Sequence, residues 1–242
     1  AANYRVANWL GTINDSSTDN INMVVIGPDR YVAVEFELPN TYEVGHDGDF
    51  SNIQEAVNFA KDGDIIIVDG GTWQGTEIRI NKSITLTSKT PDDPSATVLD
   101  FTGYPHRAFI LGPQTDSGTI IDGFTIQNSH WATPSWAPPP TCSTDGADTE
   151  PTEGGSIWIY GRASPVIKNC VIQNNSIRPG RGGDGTDACS NTCLNAGRGG
   201  WGGWAQGGGV YCGPYSSPAF INCQIKDNAV YGGSGGNGGS QT

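Results

Sequence analysis

Positive charge is scarce in this chain. Thirteen lysines and arginines stand against 25 aspartates and glutamates, a formal net charge of −12. General electrostatic binding of nucleic acid or of an anionic membrane surface is therefore not expected. Histidine is scarcer still: His46, His106 and His130 each lie outside any metal or catalytic motif. No apolar run approaches the ~20 residues that a membrane helix needs. The opening AANYRVANW lacks the basic and apolar blocks of a signal peptide. We read the chain as a mature product or as a piece of something longer. Cysteine is missing from the first 141 residues, so that half folds without cross-links.

Hydrophobic residues make up only 36%, and 35 glycines and 15 prolines interrupt them. The apolar residues still fall in short β-branched runs such as DIIIVDG (64–70), so a core of many short strands is expected. Residues 1–40 read as a small β-rich module. YRVANW, INMVVIG and DRYVAVEFELP are its strands, and Val32, Val34 and Phe36 alternate with polar neighbours as a half-buried strand does. The segment SNIQEAVNFAK (51–61) predicts a helix, with Ser51 as N-cap and Ile53, Ala56, Val57 and Ala60 on one face. A one-sided helix needs something to cover, so it is expected to cap a stack of strands. Strands follow at IIIV (65–68), EIRI (77–80), SITLTS (83–88), TVLDF (97–101), AFIL (108–111) and TIIDGFTIQN (119–128). No second helix is signalled, which excludes a βαβ architecture and leaves a sandwich, a barrel or a solenoid.

An internal repeat separates these. GGSIWIYGRASPVIKNCVIQNNS (154–176) aligns without a gap on GGGVYCGPYSSPAFINCQIKDNA (207–229), with 8 of 23 positions identical. DGFTIQN (122–128) matches KNCVIQN (168–174). A unit of two or three short strands cannot bury its apolar side alone and must stack on its neighbours. Stacking predicts an inward ladder of Ile126, Ile172 and Ile225, a second of Cys170 and Cys223, and an amide ladder of Asn169 and Asn222. The competing reading is a Greek-key sandwich with two similar hairpins.

These motifs resemble the repeats of bacterial right-handed parallel β-helix proteins. FSNIQEAVNFAKDGDIIIVDGGTWQG resembles their N-terminal capping helix and first coil. INMVVIGPDRYVAVEFELP resembles the end of a small β repeat module that precedes such helices in large extracellular proteins. The resemblance implies an all-β fold: a right-handed parallel β-helix over 41–242 with one N-terminal capping helix, after a short β module at 1–40. It also implies a secreted or cell-surface location. It does not imply one function, because the fold carries lyases, hydrolases, adhesins and scaffolds.

Two insertions, 130–153 and 178–206, leave the coils after an IQN element and should emerge at one corner. They carry Trp131, Trp136, Trp201 and Trp204, a candidate contact surface for a glycan or a neighbouring subunit. The simpler reading is that these rings cover the flank beneath their own loops. Cys142, Cys170, Cys189, Cys193, Cys212 and Cys223 are an even number in a lysine-poor chain, which makes all six disulfide candidates. Among the loop acids Asp145, Asp148, Glu150, Glu153, Asp184 and Asp187, the pair Asp184 and Asp187 is the candidate for Ca²⁺, although no calcium-loop motif is present. The GHG and RIK strings of polygalacturonase-type β-helices are absent, and Asp100 and Asp122 read as turn residues. No residue is therefore assigned a catalytic role. The reading favours a structural or adhesive protein that associates with itself or other surface proteins. A polysaccharide-binding or polysaccharide-cleaving enzyme is the alternative. Sequons at Asn14, Asn81 and Asn174 carry little weight.

Overall fold

The computed structural model describes residues 5–17, 22–25, 31–75, 77–132, 145–188 and 195–240. At the N-terminal side, β1 (Arg5–Leu10) and β2 (Ala33–Glu37) pair antiparallel. Residues 22–25 of the expected middle strand are not in a strand. Val34 and Phe36, the apolar side of the predicted alternation, are exposed. A two-stranded ribbon has no second layer with which to bury them.

The rest of the chain winds in a regular order. β3 (Thr41–Val44) leads to α1 (Ile53–Phe59), and then to β4 (Ile65–Val68), β5 (Gly71–Gln74) and β6 (Ile78–Ile80). A second winding supplies β7 (Thr85–Ser88), β8 (Thr97–Asp100) and β9 (Phe109–Leu111). A third has five strands: β10 (Ile120–Asp122), β11 (Thr125–Gln127), β12 (His130–Ala132), β13 (Thr152–Glu153) and β14 (Ile157–Ile159). A fourth repeats all five as β15 (Val166–Lys168), β16 (Val171–Gln173), β17 (Ser176–Arg178), β18 (Ala205–Gln206) and β19 (Val210–Cys212). β20 (Ala219–Ile221), β21 (Gln224–Lys226) and β22 (Ala229–Val230) begin another.

Each strand pairs in parallel with its counterpart one winding away. The sheets run β3-β4-β7-β10-β15-β20, β5-β8-β11-β16-β21 and β6-β9-β14-β19, with smaller sheets β12-β17-β22 and β13-β18. Parallel pairing removes the Greek-key alternative, whose strands are antiparallel. No barrel closes among the described residues, and the arrangement fits a solenoid. No described helix is long and apolar enough to cross a membrane.

The side-chain ladders follow from the register. Ile66, Leu86, Ile121 and Ile167 stack inside the first sheet. Leu99, Ile126, Ile172 and Ile225 stack inside the second, as the repeat predicts for its last three members. Ile126 and Ile172 are fully buried. Truncating either leaves a cavity between two tightly stacked windings. Ile126→Ala is expected to cost about 2–5 kcal/mol, read from the urea midpoint.

The windings turn on single left-handed residues. Gly123, Asn169 and Asn222 have φ of 80°, 51° and 51°, and Asn128, Asn174 and Asp227 occupy the next corner at 60°, 54° and 54°. Glycine, asparagine and aspartate tolerate this conformation best. Asn222 Nδ2 donates to Asn169 Oδ1 at 2.8 Å, and Asn169 Nδ2 donates to Asp122 Oδ1 at 2.8 Å. The expected amide ladder is present, but it ends on a carboxylate rather than on backbone groups.

The helix starts one residue later than predicted. Asn52, not Ser51, is the N-cap, and its Oδ1 accepts from Gln54 N and Glu55 N. Ile53, Ala56 and Val57 are buried, and α1 packs on β3, β4 and β6. Lys82 Nζ donates to the carbonyls of Val57, Asn58 and Ala60, which closes the C-terminal end.

Among the described residues Cys170, Cys212 and Cys223 carry free thiols, which corrects the disulfide expectation for these three. Cys170 and Cys223 occupy equivalent positions one winding apart. Their sulfurs donate to the carbonyls of Lys168 and Ile167, at 3.1 and 3.3 Å. Cys142, Cys189 and Cys193 lie outside the described residues.

Asp100 shows how one turn carboxylate ties two windings. It accepts from Thr102 N and Oγ1, Gln127 Nε2 and Asn128 Nδ2. Burial pushes its carboxyl up, but these bonds outweigh that and bring the pKa to about 2. A depressed carboxyl stabilises the fold above its unfolded value, ~3.9, and that contribution is lost as pH falls through the folded value. Asp100→Asn is therefore expected to reduce the loss of stability between about pH 4 and pH 2, measured by thermal melts across that range.

Candidate binding face

The described parts of the two insertions are not irregular loops. Residues 145–151, 180–188, 197–204 and 232–240 form four extended segments that project as a wing. They interlock through backbone bonds with a three-residue period. Gly197, Gly200 and Gly203 donate to the carbonyls of Thr186, Gly183 and Gly180, so these two segments run in opposite directions. Gly233, Gly236 and Gly239 donate to Gly203, Gly200 and Gly197 in the same antiparallel sense. Segments that run the same way are joined as well. Gly146 and Thr149 donate to Arg198 O and Trp201 O, and Gly182 and Gly185 donate to Ser234 O and Asn237 O. Three residues per turn without internal hydrogen bonds is the geometry of polyproline II.

Glycine is required here by proximity, not by backbone angle. A Cβ on Gly182 would stand 2.2 Å from Gly200 O, and one on Gly200 would stand 2.2 Å from Ala147 O. Neither glycine has positive φ. Other N–H groups of segments 197–204 and 232–240 meet an aspartate of the previous winding. Arg198 N and Trp201 N donate to Asp145 and Asp148 Oδ1 at 2.7 Å each. Asn237 N and Ser240 N donate to Asp184 and Asp187 Oδ1 at 2.6 Å each.

Asp184 and Asp187, the calcium candidates, thus bind backbone N–H groups, and Asp184 also pairs with Arg181 at 2.5 Å. No group of three or more potential metal ligands occurs among the described residues.

The wing leaves the body through β12 and β17 and returns through β13 and β18 to β14 and β19. Its root meets the outer face of the four-stranded sheet at a re-entrant corner. There Arg107 lies between two rings, with its guanidinium carbon 4.3 Å from the Trp131 ring centroid and 4.9 Å from that of Trp158. Arg107 Nε donates to Gly154 O at 2.8 Å and Nη2 to Glu153 O at 2.6 Å. Burial pushes the guanidinium pKa down, and the Glu77 and Glu153 charges act against that. These contacts fasten the wing to the sheet.

Arg107, Trp131, Pro151, Thr152, Glu153 and Trp158 line an open cavity of about 390 Å³. Tyr211 stacks beside Trp158 in the strand register and donates to Glu153 Oε1 at 2.8 Å. Tyr160 stacks on Trp158, with centroids 4.6 Å apart. Trp158 Nε1 is buried and finds no acceptor among the described residues.

The predicted tryptophans divide. Trp131 is half-buried against Arg107, which is the flank-covering reading. Trp201 and Trp204 are 77% and 51% exposed. Trp136 lies outside the described residues. Arg107, Trp158 and Tyr211 were not predicted, and Glu153 was named only among the loop acids. Only Trp158 had a signal, an outward position in the repeat strand IWI.

Comparison with protein-family models, with curated proteins and with solved structures finds no match.

Proposed function

We propose that the chain is an extracellular or cell-surface structural and adhesive protein, built as a right-handed parallel β-helix. Right-handed crossovers are the rule for parallel strands joined in one sheet. The observation that carries the reading is the double tie between windings. The same repeat joins its neighbour through strand ladders in the body and through a separate ladder in the wing. Such redundancy suits a rod that bears load outside the cell. Negative-stain electron microscopy over a concentration series tests it. Head-to-tail filaments are expected, and monodisperse monomers at every concentration would count against self-assembly.

A further inference from the structure

We propose that the corner between the wing and the four-stranded sheet binds a neutral, linear polysaccharide, with Trp201 and Trp204 as stacking platforms and the cavity beside Trp158 as the anchoring subsite. The inference rests on the adhesive reading and names its ligand class.

The outward row of segment 197–204 is Arg198, Trp201 and Trp204. A three-residue period keeps these side chains on one face of the wing, and three residues of polyproline II advance about 9 Å. That spacing is close to the length of one disaccharide unit. The row beneath it is Asp145, Asp148 and Pro151, in which Asp145 and Asp148 accept from the Arg198 and Trp201 amides. Pro151 lines the cavity, so both rows lead into the corner. Trp158, Tyr160 and Tyr211 stand on the other wall.

The chemistry suits a sugar better than a protein. Gly202 and Gly203 separate the two indoles and add no side chain between them. The neighbouring row is acidic, whereas the core of a protein interface is contiguous, apolar and poor in charge. Sugar rings offer apolar faces to indoles and hydroxyls to carboxylates. Glu153 is held at the cavity by Tyr211, whose hydroxyl donates to its carboxylate. The charge of the surroundings selects against polyuronates. Glu77, Asp145, Asp148, Glu150 and Glu153 outnumber Arg79, Arg107 and Arg198, on a chain of net charge −12.

The test titrates the full chain with cellohexaose, chitohexaose and mannohexaose, read by tryptophan fluorescence and calorimetry, with polygalacturonate as the acidic control. At least one neutral oligosaccharide is expected to bind with Kd of about 1 mM or tighter. Trp201→Ala/Trp204→Ala is expected to weaken it at least tenfold without changing the melting temperature, since both rings are exposed. Trp158→Phe, which keeps a smaller aromatic face at the cavity, is expected to weaken it less. Three outcomes would overturn the proposal: no saturable binding of any neutral probe, equal affinity in the double variant, or tighter binding of polygalacturonate. Filament formation by the same double variant is scored separately, so failure of glycan binding and failure of the scaffold reading remain distinguishable.

Discussion

Gly182→Ala and Gly200→Ala are each expected to lower thermal stability sharply, whereas Gly232→Ala leaves it unchanged. At the first two positions an added methyl meets a backbone carbonyl oxygen at 2.2 Å. Backbone on both sides leaves no flexible side-chain end to move aside. The segments must separate, which breaks the ladder on both sides of the substitution. Overpacking of this kind costs about 1–3 kcal/mol even where side chains yield, and backbone yields less. Gly232 has open space at the same distance and no positive φ, so it isolates the steric effect from the loss of glycine's chain entropy. Differential scanning calorimetry of the three variants checks the ordering. Equal melting temperatures would show that the wing is not packed as described.

Asn175→Leu is expected to be the most damaging polar substitution. Asn175 is 1% exposed. Its Oδ1 accepts from Ser129 N at 2.9 Å, and its Nδ2 donates to Ile126 O at 3.1 Å. Both partners belong to the preceding winding, at the corner where the chain leaves for the wing. Leucine fits the volume but strands a buried donor and a buried acceptor, at about 1–3 kcal/mol each. Asn228 repeats the arrangement one winding on and donates to Ile172 O at 2.9 Å. Gln173→Ala serves as comparison, because its bond to Gln127 joins side chains at a half-buried position without positive φ and leaves no buried backbone group orphaned. Urea titrations of the two variants should separate clearly. Similar midpoints would refute the distinction between backbone-satisfying and surface amides.

The body of the protein was legible because its signals are the ones that strands and repeats always give. Alternating isoleucines, a gapless repeat and single asparagines at corners predicted the ladders at Ile126, Ile172 and Ile225. β5 (Gly71–Gln74) escaped, since it opens on a glycine and holds one large apolar residue, Trp73. The wing escaped for a different physical reason. Its order lies in backbone packing without apolar side chains, so a search for periods of 2 and 3.6 passes over it. The signal was present as glycine at every third position, 197, 200 and 203 against 233, 236 and 239. The repeat also continues into this stretch, with Gly183 and Asp184 matched by Gly236 and Asn237. Arg107 carries no local mark of its role, and Trp158 carries only its outward position in IWI. They meet only because the wing's return path brings Glu153 and Gly154 beside the sheet.

The wing's three-residue period also governs how its length can vary. Adding three residues to a segment inserts one full turn and leaves every glycine facing its neighbour. Adding one or two rotates all that follows by a third or two thirds of a turn. A side chain then points into a gap where Cβ would meet a carbonyl oxygen near 2 Å. Growth outward must also be matched on the return, because the two directions are bonded to each other once every three residues. Insertions and deletions in this part of the protein are thus quantised in phase and paired between the outgoing and returning segments. The strand corners of the body impose no such arithmetic.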